Sequence, residues 1–526
     1  MLGLGAMRLS TDPARELARS RAVLARALEL GVAWVDTARA YALGEDELGH
    51  NEVLVGEALR AHPGARVSTK GGMARPGGQW RPDARAASLE RDCDESLRAL
   101  GVPVDLYLLH APDPRVPFAT SVRALRRQLD EKKVKAIGLC NVSRAQLVEA
   151  LDLAPIAAVQ LAVSPLELTA LRGGVVDLAL ERGLLVFAHS PFGGPRRRGA
   201  LQAKLGDDAH RRSLAALLGR GLIPLPGPTR LETVESLADV APAAQVDVER
   251  LLPRPRRAPA APIAVTLLMG LPGSGKTTAA KALVNSGLER LNRDEAGGTL
   301  DSLHRRLDER LGAGSRGLVL DNTYLTRASR QAVLAIAARH GVGVLGRWLE
   351  LPPALAQRRV VERMLEVHGR LLEPRELAKG RTPDTLGPRS FLRMAREVEP
   401  PGDDEGFTRL EREQLTLPPG AGAAATFASL EAEPTGPVDF VLAWKPGATA
   451  ESLAATVQAR FGAKAALWLC PHPEGPPTCW CRPPFPGLAL AAARAHGVAL
   501  ERSTLLGTGP AMRALAQATG LALRET

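Results

Sequence analysis

The chain is poor in the residues that staple, anchor or stick a protein to a charged polymer. It has five cysteines in 526 residues. Cys93 and Cys140 stand alone, and Cys470, Cys479 and Cys481 cluster late. That excludes a disulfide scaffold and predicts a reducing compartment with one metal site. Aromatic residues make up 3%, and lysine is scarce beside arginine. The net charge of +11 comes without a dense basic run or basic–aromatic interleaving, so it reads as compositional bias rather than a nucleic-acid surface. No uninterrupted apolar run reaches the roughly 18 residues of a membrane-spanning helix. The N-terminus lacks the basic-then-apolar pattern of a secretory leader. Together these absences predict a cytoplasmic protein without a membrane partner.

What is present is ordinary globular composition, 45% hydrophobic and 24% charged. The length exceeds one core, so several domains are expected. Residues 1–240 alternate apolar runs ("GVAWVDT", "ARVSTKGG", "VDLYLLHAP", "VKAIGLCNV", "IAAVQLAV", "LLVFAHSP", "GLIPLPGP") with amphipathic segments such as "LERDCDESLRALG". Repeated strand–helix units predict a parallel sheet, and their number suits an α/β fold of the TIM (β/α)8 barrel type. Residues 241–261, rich in Pro, Arg and Ala, read as a linker. A three-layer α/β domain is expected over 262–414, a second linker over 415–437, and a small truncated α/β segment over 438–526.

Asp36, Tyr41, Lys70 and His110 fall at the ends of expected strands, where a parallel barrel builds its site. Carbonyl reduction needs a proton donor at the substrate oxygen and a hydride donor at its carbon. A free Tyr has a pKa near 10. A neighbouring Lys favours its phenolate and an Asp keeps that Lys charged, while a His orients the carbonyl. "DTARAYALGEDELGHNEVLVGEAL", "VSTKGG" and "DLYLLHAPDP" resemble the corresponding segments of the aldo-keto reductase family. "GLCNVS", "VQLAVSP", "FAHSPFGG" and "IPLPGPTRLETVESL" resemble its cofactor-binding segments. The resemblance implies NADP(H)-dependent reduction of a small carbonyl substrate. Tyr41 would be the acid, Lys70 and Asp36 its tuners, and His110 the orienter. Asn141 and Gln160 would bind the nicotinamide amide, His189 stands where the family stacks an aromatic ring on the nicotinamide, and Arg230 would meet the cofactor's 2′-phosphate. The stretch from Pro195 to Leu222 looks short for the family, as if part of one barrel unit were missing.

"GLPGSGKT" (Gly270 to Thr277) fits G-x-x-x-x-G-K-[ST] between an apolar run and a helical run. The backbone at Gly270, Gly273, Ser274 and Gly275 would wrap the phosphates of ATP, with Thr278 continuing into the helix. Lys276 would reach the β/γ-phosphates and Thr277 would hold Mg²⁺. In "RLNRDEAGG" Asp294 follows a short expected strand, and "GLVLDNT" places Asp321 at the end of a buried one. Arg359 and Arg363, four apart on one helical face, suit charge on a transferring phosphoryl group. This set resembles polynucleotide kinases, which implies Asp294 as the base that accepts the proton of a 5′-hydroxyl on a DNA or RNA end.

"CPHPEGPPTCWC" brings Cys470, His472, Cys479 and Cys481 into C-x-H and C-x-C spacing, a donor set for structural Zn²⁺. It resembles the zinc loop of phosphatases in the haloacid dehalogenase superfamily. Their paired aspartates are absent from this region, and Thr508 stands where their metal-binding Asp would be, so a non-catalytic remnant is expected. The whole reads as a bifunctional enzyme, an NADP-dependent oxidoreductase joined to an ATP-dependent P-loop kinase. Two other assignments stay open: a reductase regulated by a nucleotide-binding domain, and a nucleic-acid end-binding module with a non-catalytic barrel.

Overall fold

The computed structural model describes residues 2–194, 197–237, 240, 246–293, 297–380, 382–416 and 420–526. It divides into two compact units, Met1–Pro255 and Arg256–Thr526.

The first unit is a ring of eight parallel strands: β1 (Gly3–Gly5), β2 (Trp34–Asp36), β3 (Arg66–Gly71), β4 (Leu106–Leu109), β5 (Ile137–Cys140), β6 (Ile156–Ala162), β7 (Leu185–His189) and β8 (Ile223–Leu225). The ring comes nearly closed where the Gly5 amide donates to the Pro226 carbonyl at 2.9 Å. A Cβ on Gly5 would lie 3.2 Å from the Leu225 carbonyl oxygen, so glycine lets the seam approach. The strands read as continuous apolar runs because both faces are covered. Inward side chains of Trp34, Leu106, Leu108, Cys140, Ala158, Phe187, Ile223 and Leu225 fill the barrel. Trp34 meets Phe187 edge-on at 5.2 Å. Outward side chains pack under a helical layer. In the helix Ala86–Leu100, Leu89, Cys93 and Leu100 are buried, and Gly101 in the left-handed region ends it. The segment before β8 is short, yet it carries two helices, Arg198–Leu205 and Ala209–Gly219. The expectation of a partly missing barrel unit is therefore corrected: compact helices supply the cover.

The second unit holds two parallel sheets. One has the order β10-β11-β9-β12-β13, with β9 (Ile263–Met269), β10 (Glu289–Asn292), β11 (Leu318–Asp321), β12 (Gly343–Glu350) and β13 (Arg409–Gln414). The other has the order β16-β15-β14-β17-β18, with β14 (Thr426–Ser429), β15 (Phe440–Trp444), β16 (Ala466–Cys470), β17 (Thr504–Leu506) and β18 (Ala522–Arg524). This corrects the expected linker over 415–437. Thr426–Ser429 is the central strand of the last sheet, and its Phe427 and Ala428 are buried. The C-terminal segment is thus a five-stranded sheet flanked by the helices Ala450–Phe461, Gly487–His496 and Gly509–Thr519. No helix among the described residues is long and apolar enough to cross a membrane.

Candidate active sites

The strand ends of the barrel bring the four expected residues together. Asp36 ends β2, Lys70 lies near the end of β3, and His110 follows β4. Lys70 Nζ lies 2.8 and 2.7 Å from the two Asp36 oxygens and 2.9 Å from the Tyr41 hydroxyl, and it donates to the Thr37 carbonyl at 2.8 Å. Ser68 donates to Asp36 Oδ1 at 2.8 Å. All four residues are buried. Burial raises the Tyr41 pKa above its ordinary value, and the Lys70 charge opposes that rise. Burial alone would lower Lys70, but the charges and hydrogen bonds around it, the Asp36 carboxylate first among them, together outweigh it and hold the ammonium protonated. The His110 ring stands edge-on to Tyr41 at 5.7 Å. Burial, then the Lys70 charge, keeps its pKa well below the usual imidazole value, so it is neutral at neutral pH.

Around this group, Asn141 donates from its side chain to the His110 carbonyl at 3.1 Å. Its φ of +57° lies in the left-handed region, which Asn tolerates better than most residues. His189 Nε2 lies 3.0 Å from Asn141 Oδ1, and burial pushes its pKa down to about 4. Gln160 accepts from the Cys140 thiol at 3.1 Å. Arg230 is exposed at the start of the helix Leu231–Glu235. Trp80 also belongs to this group. It is 45% exposed, stands 6.2 Å from Tyr41 and 5.9 Å from His110, and lies under the Arg75 guanidinium at 3.8 Å. Its signal was a lone indole in the glycine–proline loop "RPGGQWRP".

In the second unit β9 leads through Gly270 to the helix Lys276–Asn285, whose N-cap Gly275 is left-handed. Lys276 Nζ donates to the Gly270 and Leu271 carbonyls at 2.9 and 2.7 Å. Thr277 is half-buried and Thr278 exposed at the start of that helix, while Ser274 is buried in the loop. Beyond the loop, the helix Pro353–His368 passes closely over it. A Cβ on Gly273 would lie 2.7 Å from the Ala356 carbonyl and 3.3 Å from Arg359 Cβ. A Cβ on Gly275 would lie 3.6 Å from an Arg359 guanidinium nitrogen. Arg359 therefore faces the P-loop. Arg363 follows one turn on and is half-buried. Asp321 ends β11, level with Leu268 of β9, and its carboxylate is paired with Arg290. Asp294 lies outside the described residues.

The four donors of the last sheet also converge. Cys470 Sγ, His472 Nδ1, Cys479 Sγ and Cys481 Sγ all lie within 4.8 Å of one another. Cys470 is 3.7 Å from Cys479 and 3.2 Å from Cys481, and His472 Nδ1 is 3.2 Å from Cys481. A tetrahedral shell with Zn–S near 2.3 Å has sulfur–sulfur edges of about 3.8 Å, so the set fits zinc. Hydrogen bonds from Cys470 and Cys481 favour the Cys479 thiolate and hold its pKa below the ordinary thiol value. His472 Nε2 lies 2.9 Å from Glu373 Oε2, the outer carboxylate that fixes a metal-binding imidazole. Parallel sheets build their sites at the C-terminal ends of strands. Here those ends carry Ser429, Glu431 and Thr508. Asp439 is the one aspartate from 420 to 526, and it sits at the opposite edge, accepting from the Thr426 amide at 2.8 Å.

Comparison with known proteins finds family matches over two stretches of the chain. The aldo/keto reductase family model matches residues 1–254, and an AAA domain model matches residues 265–374. A 6-dehydroglucose reductase from Novosphingobium aromaticivorans is 34% identical over 178 residues, 32% of this chain and 58% of that protein. The aldo-keto reductase str7 from Strobilurus tenacellus is 33% identical over 178 residues, 32% of this chain and 49% of that protein. The chain thus spans about half the length of the curated relatives it matches. Among solved structures, aldo-keto reductase AKR11C1 from Bacillus halodurans aligns with a TM-score of 0.41 at 23% identity, covering 48% of this chain and 89% of that one. Neither family match extends past residue 374. The chain carries an aldo-keto reductase domain over residues 1–254 and a P-loop domain of the AAA type over residues 265–374.

Proposed function

We propose that the protein is a bifunctional enzyme: an NADP-dependent carbonyl reductase on the barrel and an ATP-dependent phosphotransferase on the P-loop. The observation that carries the first activity is Lys70 Nζ, shared between Asp36 and the Tyr41 hydroxyl in a buried site. Bound NADPH would supply hydride to the carbonyl carbon. Tyr41 gives its proton to the carbonyl oxygen, and Lys70 steadies the phenolate that remains. His110, neutral, aligns the oxygen, and Trp80 covers the mouth. Asn141 and Gln160 would hold the carboxamide, and Arg230 would meet the 2′-phosphate. NADPH oxidation with a panel of aldehydes and ketones tests this. No turnover by the wild-type chain with any of them overturns it.

The second activity is supported by Lys276 at the head of its helix and Arg359 over the loop. The γ-phosphoryl group passes to an acceptor hydroxyl, whose proton goes to Asp294. Resemblance favours a 5′-hydroxyl nucleic-acid end as acceptor. Transfer from γ-labelled ATP with Mg²⁺ to 5′-hydroxyl DNA and RNA oligonucleotides tests it, with Lys276→Ala as control. ATP binding with no transfer to oligonucleotides would exclude nucleic-acid ends. Reductase rates that respond to ATP without its consumption would make the P-loop a regulator. The C-terminal sheet is a non-catalytic module holding structural zinc.

A further inference from the structure

Arg358 and Arg359 are adjacent on the helix Pro353–His368 and face different neighbours. Arg359 faces the P-loop glycines. Arg358 turns to the C-terminal sheet. Its guanidinium donates to the Thr519 carbonyl at 2.9 Å and to Glu362 at 2.6 Å, and it pairs with Glu501 at 2.6 Å. Thr519 is the last residue of the helix Gly509–Thr519, so Arg358 meets the negative end of that helix. Glu501 is itself fixed, accepting from the Gly420 amide at 3.1 Å.

The same helix shares a core with the C-terminal sheet. Val360, Val361, Met364 and Leu365 belong to one apolar cluster with Trp480 and Leu515. Two further ties lie just beyond it. The Trp480 indole donates to the Leu386 carbonyl at 2.7 Å, and Glu373 meets His472. An apolar core alone would tolerate sliding of the helix. A buried guanidinium with partners in fixed directions does not, and it specifies register more than stability.

We propose that the C-terminal sheet is a brace for the phosphotransfer site, and that Arg358, gripped by Glu501 and the Thr519 carbonyl, is the positioning residue that sets Arg359 over the P-loop. This rests on the phosphotransfer reading above. The sheet needs no chemistry of its own for this role.

The test uses the full chain with Glu501→Gln, which keeps shape and removes the charge, and with Arg358→Lys as a second variant should the first not fold. Loosening the grip is expected to lower kcat for phosphate transfer about tenfold, as small misplacements of catalytic groups do, with the KM for ATP changed less than about twofold. In an Arg359→Ala background Glu501→Gln is expected to cost nothing more, because both changes act through one group. Losses that simply add, or an unchanged kcat, overturn the proposal. Hydrogen exchange reads the brace without catalysis. Amides of Pro353–His368 are expected to exchange at least about tenfold faster in Glu501→Gln, with those of Ile263–Met269 unchanged. Unchanged protection of that helix overturns the brace. Should the wild-type chain transfer no phosphate at all, the phosphotransfer reading fails, and exchange alone decides whether the sheet holds the helix.

Discussion

The Lys70 ammonium reaches the Tyr41 hydroxyl across 2.9 Å while its other hydrogens are bound by Asp36 and Thr37. Tyr41 is thereby the buried hydroxyl with a fixed cation beside it. Replacing Tyr41 by Phe is expected to lower kcat for carbonyl reduction by about 10²–10⁴, the usual worth of a positioned proton donor. The affinity for NADPH is expected to stay the same. Steady-state rates and fluorescence titration of the cofactor check the two halves separately.

Glu52 gives the barrel a pH dependence of stability. Burial raises its pKa to about 7, and the Thr69 hydroxyl that donates to it offsets only part of the rise. The folded chain therefore holds this proton more tightly than the unfolded chain. The stability this contributes is complete below the ordinary carboxylate pKa and is lost as pH rises toward 7. Relative to Glu52→Gln, the wild-type chain is expected to lose up to about 3 kcal/mol across that window and to run parallel above it. Urea denaturation of both chains at pH 5 to 8 measures the difference.

The metal loop makes a stoichiometric prediction. The purified chain is expected to contain one zinc, measured by atomic emission, and Cys479→Ser is expected to lose it. Glu373→Gln leaves all four donors in place but frees the His472 ring, so metal affinity is expected to fall about 10–100-fold. Competition with a chromogenic chelator reads that fall.

At Gly273 both the backbone and the space resist a side chain. Its φ is +88°, and a Cβ would sit 2.7 Å from the Ala356 carbonyl. Gly273→Ala is expected to push the helix Pro353–His368 off the loop and weaken ATP binding about tenfold or more, a loss near 1.4 kcal/mol. Calorimetric titration with ATP and Mg²⁺ checks it, with NADPH binding to the same sample as the control for folding.

The parts legible in the sequence are those where the signal is local. Asp36, Lys70 and His110 are legible because each falls at the end of an apolar run, and a parallel sheet gathers such ends. The metal donors lie within twelve positions of one another, so their spacing alone suggested a shell. Glu373 carried no such signal, since it meets His472 from 99 positions away. Trp80 was equally hidden, because only the folded loop brings its ring to Tyr41. The strand Thr426–Ser429 reads as linker in the sequence because alanine and glycine around it blur the contrast between buried and exposed positions. Its two neighbours in the sheet, rather than its own propensity, make it a strand.

The apolar cluster that joins Val361, Leu365 and Phe391 to Trp480 and Leu488 also bears on how the gene can be cut. A version ending after residue 414 would keep the whole P-loop sheet but leave those side chains wet, and it is expected to precipitate when expressed. Selection on the last hundred residues then falls on their inward face. Mutations there should be purged by insolubility, while the exposed strand-end residues Glu431 and Thr508 remain free to drift.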